Sequence, residues 1–491
     1  MEGLRVAENG DSKRVCHQCV GDSYLSALIV KDGIVGKCSY CTDHEEACVS
    51  VEEADHVEGA FDRHYQGTSD QPDMYESMML RDKEIDYSWD RHGEPVIEVI
   101  EQAAGVEEEV AQDVLDVLSN RHGDWESAQM GEECEFDPDS YYESKRPSSG
   151  EIAAEWYGLE RSLKLQSRYF NPQADSLMKR LFDDLEKLVT DDGRSVIVEA
   201  GPDKAVKSFN RARAFHHSHE LDEAMIRPDL RLGPPPATRA KAGRMNAHGI
   251  AVFYGADDRD VALAEVRPPV GSRALIGEFE LLRTVRLLDV PALEAVYFDG
   301  SVFDPAYAEQ RSLTRFLGRL SDRITIPVMP DDEPTEYLIT QMIADYLARR
   351  PVPGLDGILF KSVQRPGDKR NVVLFHHASR VEAIELPEEV KVSVHQFQSG
   401  DEGPEPDYTV LEEAPPAIEA PAEAEPETDF GLGSMLDFRQ EMFRFDPDAD
   451  DRESYLRVNK DRLVVRHVTG VTFDTADYAV RRHRSEKHDL S

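Results

Sequence analysis

The chain has 491 residues, more than one hydrophobic core usually organises, so the sequence predicts roughly two to four domains. Its 97 Asp and Glu residues outnumber its 56 Lys and Arg residues, and the net charge of −41 repels phosphate backbones, so nucleic acid is not an expected partner. The sequence has no run of about 18 apolar residues and no signal-peptide core, so we expect a cytoplasmic protein without a membrane partner.

Two CxxC pairs near the N-terminus predict a metal site. The pairs are Cys16 with Cys19 and Cys38 with Cys41, and 18 residues separate them. Each pair directs two thiolates at one ion, and two pairs complete a tetrahedral Cys₄ shell. The intervening SYLSALIVKDGIV suits a strand, a turn and a second strand, so we predict a zinc ribbon over residues 1–50. A closed Cys₄ shell leaves Zn²⁺ no open coordination position, so the ion is expected to be structural.

Residues 51–194 are predicted to be helical. Apolar side chains recur at helical spacing in three stretches. These stripes are Val106, Val110, Val114 and Leu118; Ile152, Trp156, Leu159 and Leu163; and Leu177, Leu181, Leu185 and Leu188. Asn171 and Pro172 suit the start of the last helix. The pattern predicts a bundle of about four helices that ends near residue 190, and this bundle is the expected interface of any homodimer.

Residues 195–392 change in character to short apolar stretches punctuated by Gly and Pro. The strand candidates are SVIVEA, IAVFYGA, ALIGEFELL, VRLLDV, GILFKS, NVVLFHH and VEAIEL, and TEYLITQMIADYLARR is a helix candidate. Strands with interspersed helices predict an α+β domain around a mixed sheet.

The last hundred residues divide into two segments. Residues 393–432 are rich in Pro, Ala and Glu and predict a disordered acidic linker, because they hold too little apolar surface for a core. Residues 433–491 form a C-terminal tail of unknown role, in which LVVRHVTGVTF suits a small strand pair.

One carboxylate stands out within the α+β segment. In VALAEV (261–266), Glu265 is the single charged residue of an otherwise apolar run. Burying an unpaired carboxylate costs free energy. Two interpretations therefore remain: Glu265 points to solvent in the last turn before Pro268 and Pro269, or it lines a cleft as a positioned functional group.

Three blocks of this segment resemble, in order and spacing, the motifs of the RES domain. They are FNRARAF (209–215), AGRMNAHGIAVFYGADDRDVALAEVR (242–267) and GILFKSVQRPGDKRNVVLFHH (357–377). The resemblance implies an ADP-ribosyltransferase-like fold and a toxin that destroys NAD⁺. The preceding zinc-ribbon and helical region is similar to the HEPN-like domain that is fused to some RES domains.

The resemblance implies a site made of Arg211, Arg244, Tyr254, Glu265 and Ser362. In this interpretation Glu265 stabilises the positive charge that develops on the ribose as neutral nicotinamide leaves. Arg211 and Arg244 hold the pyrophosphate through planar guanidinium forks. Tyr254 stacks on the nicotinamide or the ribose, and Ser362 donates a hydrogen bond to one of them.

Several alternatives remain open at the level of sequence. Arg213 competes with Arg211, because alternate residues of a strand face opposite ways. NAD⁺ cleavage by hydrolysis, its cleavage by phosphorolysis, ADP-ribosyl transfer to a macromolecule and non-catalytic nucleotide sensing by an adaptor all fit the motifs. A RES-type toxin also implies restraint, either by a separate antitoxin protein or by the N-terminal half of this chain.

Two further patterns are interpreted as non-functional. The spacing of Arg211 and His216 matches the Arg–His signature of HEPN ribonucleases, but both residues lie in or beside a predicted strand, so we expect the helical region to be catalytically inactive. His216, His217 and His219 are close in sequence but lack a carboxylate that would complete a metal site, so we expect a solvated loop.

Overall fold

A computed structural model describes residues 12–41, 45–82, 86–123, 133–145, 150–326, 328–350, 354–365, 367, 369–387, 390–400, 403–414, 450–472 and 475–482. The chain divides into two compact units. The first comprises Met1–Arg161, Lys187–Arg194 and Ala292–Leu320, and the second comprises Ser162–Glu186, Ser195–Pro291 and Ser321–Ser491.

The secondary structure alternates between helices and short strands along the whole described chain. The helices are α1 (Ser23–Asp32), α2 (Asp55–His64), α3 (Met74–Arg81), α4 (Val96–Ala104), α5 (Glu108–His122), α6 (Gly150–Leu165), α7 (Pro172–Phe182), α8 (Ser218–Ile226), α9 (Pro228–Arg231), α10 (Arg259–Glu265), α11 (Pro305–Gly318), α12 (Leu320–Thr325), α13 (Glu333–Glu336) and α14 (Leu338–Arg349). The strands are β1 (Arg14–Cys16), β2 (Ile34–Lys37), β3 (Glu45–Ser50), β4 (Tyr65–Gly67), β5 (Glu94–Pro95), β6 (Tyr141–Ser144), β7 (Ile197–Ala200), β8 (Ser208–Phe215), β9 (Phe253–Ala256), β10 (Arg273–Leu281), β11 (Val285–Asp289), β12 (Gly357–Lys361), β13 (Arg370–Leu374), β14 (Lys391–Gly400), β15 (Gly403–Glu413), β16 (Leu456–Val458) and β17 (Val464–His467).

The first unit combines two small antiparallel sheets with helices. The sheets have the strand orders β1-β3-β2 and β4-β6-β5. Helices α2, α4 and α5 supply the buried side chains between them, including Phe61, Ile100 and Leu118. Phe303 packs into the same core from just before α11. Residues 292–320 therefore belong to this unit, although the sequence placed them within the segment 195–392.

Residues Ser23–Asp32, between the two cysteine pairs, form helix α1, which corrects the predicted strand over YLSALIV. The side chain of Asp22 accepts a hydrogen bond from the backbone N–H of Leu25 at 2.9 Å and so caps α1. Leu25 and Ile29 lie one turn apart and pack with Val15 and Val110. The cap and the four-residue apolar spacing outweigh the strand propensity of the aliphatic side chains. The predicted second strand is present as β2.

The second unit is built on one mixed sheet of nine strands. The strand order is β16-β10-β8-β9-β13-β12-β11-β7, and β17 also pairs with β10. Strands β11 and β12 run parallel, whereas the other pairs among the described strands are antiparallel. The mixed sheet predicted for this region is therefore confirmed.

One face of this sheet is covered by apolar packing. Phe209, Phe253 and Phe279 come from three adjacent strands, and the rings of the last two meet edge to face at 5.0 Å between centroids. Leu221 of α8 joins the same cluster. These rings exclude water from the centre of the sheet, so the strands around them form a rigid support for side chains on the opposite face.

Helix α7 belongs to this second unit and packs against α14. The hydroxyl of Tyr346 on α14 donates a hydrogen bond to the Asp183 carboxylate at the end of α7. The guanidinium of Arg350 donates to the backbone carbonyl of Asp183 at 2.7 Å. Leu177, Leu181 and Leu185 therefore lie in the second unit and Leu188 in the first, although the sequence grouped this stripe with the others in one bundle.

The C-terminal hundred residues contain more structure than the sequence predicted. Strands β14 and β15 form an antiparallel hairpin that covers the beginning of the predicted linker over 393–432, whereas residues 415–432 lie outside the described residues. Strands β16 and β17, within the predicted tail, extend the large sheet at β10. Along the described chain, each helix is too short or too polar to cross a membrane.

The first prediction concerns β16, whose Leu456 is fully buried in the sheet core. We expect Leu456→Ala to lower the free energy of unfolding by about 2–5 kcal/mol, because it removes buried methyl groups and leaves a cavity. Denaturant unfolding of the full chain measures this change. Leu411→Ala is the matched control, since Leu411 is 44% exposed and its truncation should cost little. Equal effects of the two substitutions would contradict an integral role for β16.

Candidate functional site

The candidate site lies where β8 and β9 separate in the middle of the large sheet. These two strands share a single register pair, Asn210 with Ala256. Residues just beyond that pair line a cavity of about 260 Å³, with Arg211 on one strand and Tyr254 on the other. At the pair itself, a Cβ atom on Gly255 would lie 3.1 Å from the backbone oxygen of Asn210. Glycine therefore allows the strands to approach closely before they open.

Glu265 is placed at this cavity by a short helix. It is the last residue of α10, which begins with a cap from the Asp258 side chain to the backbone N–H of Asp260 at 2.7 Å. Val261 and Ala262 are buried beneath the helix. The alanine also lines the cavity. The apolar residues of VALAEV thus anchor α10, and the carboxylate projects from its C-terminal end.

Two neutral donors hold the Glu265 carboxylate. Its Oε1 atom accepts a hydrogen bond from Ser362 Oγ at 2.9 Å and another from Asn371 Nδ2 at 2.8 Å. Ser362 directly follows β12, and Asn371 belongs to β13. Within the described structure Oε2 accepts no hydrogen bond, so this oxygen is available to a ligand. The Glu265 residue as a whole is exposed, which places the carboxylate at the rim of the cavity.

Arg211 brings a cation into the same cavity, and no carboxylate of the described residues forms an ion pair with it. Its Nη1 atom is buried and has no hydrogen-bond partner among the described residues. The guanidinium lies 5.2 Å from the centre of the Phe253 ring. Burial, together with the neighbouring Arg213, lowers the Arg211 pKa to about 10. The group is still charged at neutral pH, so its unpaired donor favours an anionic ligand.

The structure distinguishes the two neighbouring arginines of FNRARAF. Arg211 lines the small cavity, whereas Arg213 lines only the larger cleft beside it. Arg213 is exposed and donates a hydrogen bond to the backbone oxygen of Arg231 at 3.0 Å. Strand β8 therefore presents Arg211 to the carboxylate site.

Arg244 lines neither cavity. Its guanidinium donates to the backbone oxygens of Ile324 at 2.5 Å and Ile326 at 2.8 Å. It also lies over the Tyr337 ring at 5.1 Å. The Arg244 backbone oxygen accepts a hydrogen bond from Thr340 on α14 at 2.5 Å. In this arrangement Arg244 connects the loop before β9 to Ile324 and Ile326, and both of its Nη atoms donate to carbonyl groups.

Tyr254 connects the same loop to the cavity. Its hydroxyl donates to Asn246 Oδ1 at 2.9 Å and accepts from the backbone N–H of Met245 at 3.0 Å. Burial raises the pKa of Tyr254 to about 12, so the hydroxyl remains neutral. A Cβ atom on Gly243 would lie 2.7 Å from Asn246 Oδ1 and 2.8 Å from the tyrosine hydroxyl. The Gly-Arg-Met-Asn loop thus packs closely around the tyrosine hydroxyl and hydrogen-bonds to it.

A larger cleft of about 1800 Å³ adjoins the small cavity and shares Arg211, Ala212 and Val266 with it. Its lining carries eight Arg and Lys residues and four Asp and Glu residues. The cations are Arg211, Arg213, Arg227, Arg231, Arg239, Lys241, Arg380 and Arg452. Arg227 is paired with Asp229 at 2.6 Å, and Arg231 is paired with Glu223. Within the described structure Arg211, Arg213, Arg239 and Lys241 have no carboxylate partner, so an acidic protein presents a locally basic cleft.

The four cysteines of the two CxxC pairs converge in the first unit. The sulfur atoms of Cys16, Cys19, Cys38 and Cys41 all lie within 4.8 Å of one another. The Cys16 sulfur is 3.6 Å from that of Cys19 and 3.5 Å from that of Cys41. The Cys19 and Cys38 sulfurs are 3.8 Å apart. Four close cysteines form a cluster that could hold a metal ion, as the spacing predicted.

Asn371 and Asn210 are site residues that the sequence analysis missed. Both line the small cavity and both are at least nine-tenths buried, at 5% and 9% exposure. The signal was present, because Asn371 begins the apolar run NVVLF and Asn210 interrupts a strand between buried Phe209 and Ala212. A buried polar residue within a strand needs a hydrogen-bonding partner, and its partner is invisible until the strands are assembled.

Comparison with known proteins identifies one region of the chain. The family model described as RES domain matches residues 211–395, a segment that begins in β8 and ends in β14. No curated protein and no solved structure matches the chain. The comparison supports a RES-domain protein, while the zinc ribbon, the HEPN-like region and the ADP-ribosyltransferase-like fold stay predictions.

The second prediction tests the two hydrogen bonds that the Tyr254 hydroxyl makes with the Gly-Arg-Met-Asn loop. We expect Tyr254→Phe to lower the free energy of unfolding by about 1–3 kcal/mol, because Asn246 Oδ1 and the Met245 N–H lose their buried partner. Denaturant unfolding measures the change. Tyr478→Phe serves as the control, since Tyr478 is 88% exposed. An unchanged Tyr254→Phe stability would mean that the hydroxyl does not fix the loop.

Proposed function

We propose that this chain, which carries a RES domain over residues 211–395, cleaves NAD⁺ at the nicotinamide–ribose bond and acts as an NAD⁺-depleting toxin or defence effector. The observation that carries the proposal is the pairing of two groups in one cavity. A carboxylate held by neutral donors lies at the rim, and inside lies a buried guanidinium that has no carboxylate partner in the described parts of the chain.

The proposed reaction needs little acid catalysis. When the bond between ribose C1′ and the ring nitrogen breaks, its electron pair moves to the cationic nicotinamide, which leaves as a neutral molecule. Positive charge develops on C1′ and the ring oxygen, and the Oε2 of Glu265, which is not engaged by Ser362 or Asn371, would stabilise it. Ser362 and Asn371 restrict the carboxylate to one orientation, so little reorganisation is needed when the charge develops.

The adjoining basic cleft suits the rest of the dinucleotide. Arg211 lies where the two cavities join, and Arg213, Arg239 and Lys241 extend the positive lining away from Glu265. These cations would attract and hold a pyrophosphate through charge-assisted hydrogen bonds. The nicotinamide riboside end would then enter the small cavity, with its C1′ beside the carboxylate.

The nucleophile that completes the reaction is water or phosphate. Attack by water on C1′ gives ADP-ribose and releases a proton, whereas attack by a phosphate oxygen gives the 1-phosphate of ADP-ribose. Phosphorolysis needs an anion site beside C1′, and the unpaired Nη1 of Arg211 within the small cavity supports such a site. Product analysis with and without phosphate separates the two reactions.

The third prediction concerns Glu265 itself. We expect Glu265→Gln to lower the rate of nicotinamide release by about 10²–10³-fold, because a neutral amide cannot stabilise the developing charge. Release from NAD⁺ by the purified full chain, in the presence and absence of phosphate, is the measurement.

Glu220→Gln is the matched control, because Glu220 is an exposed residue of α8 outside both cavities. The variant Glu265→Gln matching wild type in rate would overturn the proposed role of the carboxylate. Transfer of labelled ADP-ribose to a macromolecule would instead identify a transferase.

We also infer that the four-cysteine cluster of the first unit holds Zn²⁺. A tetrahedral Zn²⁺ with Zn–S bonds of about 2.3 Å places its sulfur atoms about 3.8 Å apart. The three sulfur–sulfur separations of 3.5 Å, 3.6 Å and 3.8 Å support that fit. Four thiolates would close the shell, so the ion would join β1 and β2 to the short turn at His17–Cys19 and take no part in catalysis.

The fourth prediction is therefore one zinc ion per chain. We expect Cys38→Ser to abolish stoichiometric zinc in metal analysis and to lower the unfolding temperature of the first unit, because zinc binding contributes directly to folding. Cys134→Ser is the control, since Cys134 lies outside the cluster and should leave the zinc content unchanged. Zinc retained at one per chain in Cys38→Ser would contradict the assignment.

A further inference from the structure

Asn371 occupies a central position in the sheet beneath Glu265. On β13 it pairs laterally with Ala256 of β9 on one side and with Phe360 of β12 on the other. Only 5% of the residue is exposed. Its amide nitrogen donates the hydrogen bond of 2.8 Å to Glu265 Oε1. The side chain therefore lies directly between the sheet and the carboxylate.

The contact with Glu265 fixes which way the amide points. An ionised carboxylate only accepts hydrogen bonds, so the NH₂ group of Asn371 must face it and the carbonyl oxygen must turn away. That oxygen, Oδ1, is buried and has no hydrogen-bond partner in the described part of the chain. A buried carbonyl without a partner is rare because its lost hydration is uncompensated. The arrangement leaves one acceptor ready for a donor from outside the protein.

Asn210 repeats the feature on the other side of the cavity. Asn210, Ala256 and Asn371 lie side by side on three neighbouring strands, so the small alanine separates the two amides. The Oδ1 atom of Asn210 is also buried without a partner among the described residues. Two acceptors thus line one small cavity, and together they match a ligand that brings hydrogen-bond donors.

Asn246 is a buried asparagine of the same unit whose side-chain oxygen does have a hydrogen-bond partner. Asn246 is 7% exposed, but its Nδ2 donates to the backbone oxygens of Lys241 and Ile250, and its Oδ1 accepts from Tyr254. Every side of that amide is satisfied within the protein. Asn246 therefore has the contacts of a structural residue, and Asn371 does not.

We propose that Asn371 has two roles in the reaction: its amide nitrogen positions Glu265, and its Oδ1 accepts a hydrogen bond from a donor on the nicotinamide riboside. This inference rests on the proposed NAD⁺ cleavage. The favoured donor is a ribose hydroxyl. Glu265 must lie beside ribose C1′ to stabilise charge there, and Asn371 touches Glu265, so the same sugar reaches both residues. The carboxamide NH₂ group is the other donor with this chemistry.

The fifth prediction compares two substitutions of the same kind. Asn371→Leu keeps the branched shape and the number of side-chain heavy atoms but removes both the acceptor and the donor to Glu265. We expect it to weaken NAD⁺ binding about tenfold and to lower the unfolding temperature less than Asn246→Leu does, because only one hydrogen bond within the protein is lost. Asn246→Leu removes satisfied buried hydrogen bonds, so it should lower the unfolding temperature by several degrees. Isothermal titration with NAD⁺ and thermal unfolding of the full chain measure both effects. A lower unfolding temperature for Asn371→Leu with unchanged NAD⁺ affinity would make Asn371 structural and overturn the proposal.

Asn371→Asp tests the two roles through pH. At pH 8 the new carboxylate repels Glu265 and cannot donate to it, so NAD⁺ binding and cleavage should be weak. On protonation the carboxyl regains one donor for Glu265 and one carbonyl acceptor for the ligand. Activity of the variant relative to wild type should therefore rise as the pH falls from 8 to 5.5. Arg211 and Tyr254, which face the same cavity, keep their charge states over this range because their pKa values are about 10 and about 12. A pH profile parallel to that of wild type would overturn the positioning role.

Two substrate analogues separate the possible donors. NAD⁺ that lacks the 2′-hydroxyl on the nicotinamide-side ribose should bind wild type about tenfold more weakly than NAD⁺ and should bind Asn371→Leu no more weakly than NAD⁺ does. The same pattern with the nicotinic acid analogue would assign the acceptor to the carboxamide and overturn the ribose assignment. This inference alone is overturned if wild type cleaves NAD⁺ but Asn371→Leu leaves the affinity for both analogues, relative to that for NAD⁺, as it is in wild type. Wild type that neither binds nor cleaves NAD⁺ would overturn the proposed function with it.

Discussion

The candidate site depends on the point at which two central strands stop pairing. Strands β8 and β9 meet at Asn210 and Ala256 and then diverge, although both continue to pair with their outer neighbours β10 and β13. A sheet that paired fully here would leave no room between Arg211 and Tyr254, and the carboxylate of Glu265 would face a closed surface. Gly255 permits the close approach at the junction, and the small side chains Ala212 and Ala262 keep the opening clear. The divergence of the two backbones therefore creates the cavity, and the side chains determine its lining.

The excess positive charge of the cleft lining is opposite in sign to the net charge of the chain. A chain with a net charge of −41 would repel a dinucleotide, whose pyrophosphate is anionic. The cleft counters this effect locally, because four of its cations have no carboxylate partner within the described structure and Arg211 is buried beside an aromatic ring. Coulomb attraction strengthens where water is excluded. The energetic cost of keeping Arg211 desolvated and unpaired is recovered only when an anion binds, so this part of the structure favours the liganded state.

The sequence predicted the parts of this structure that depend on local pattern. The spacing of the CxxC pairs predicted the cysteine cluster, and α10 covers most of the VALAEV run. Glu265, Arg211 and Tyr254 line one cavity, and Ser362 joins them through its hydrogen bond to Glu265. Arg244 was expected at the same site, but the structure uses it to tie a loop to α12, since backbone carbonyls from a distant segment compete for its donors. The role of Asn371 could not be predicted either. Its neighbour in β9, Ala256, is more than a hundred residues away in sequence, and its neighbour in β12, Phe360, is about ten residues away. Helix α1 was missed because one capping carboxylate, Asp22, outweighed the strand propensity of the residues after it.

The segment after residue 449 contributes both to the edge of the large sheet and to the large cleft. Strands β16 and β17 cover the outer edge of β10, which would otherwise expose unpaired backbone groups. Immediately before them, Arg452 donates to the Ser379 hydroxyl at 3.0 Å and is paired with Asp450 at 2.7 Å, and all three residues line the large cleft. This segment lies beyond the RES-domain match, which ends at residue 395. The same stretch therefore closes the sheet edge and forms part of the lining of the large cleft. The lining of the large cleft thus extends beyond the segment that matches the family model, because residues 450–452 belong to the same stretch of chain that completes the sheet.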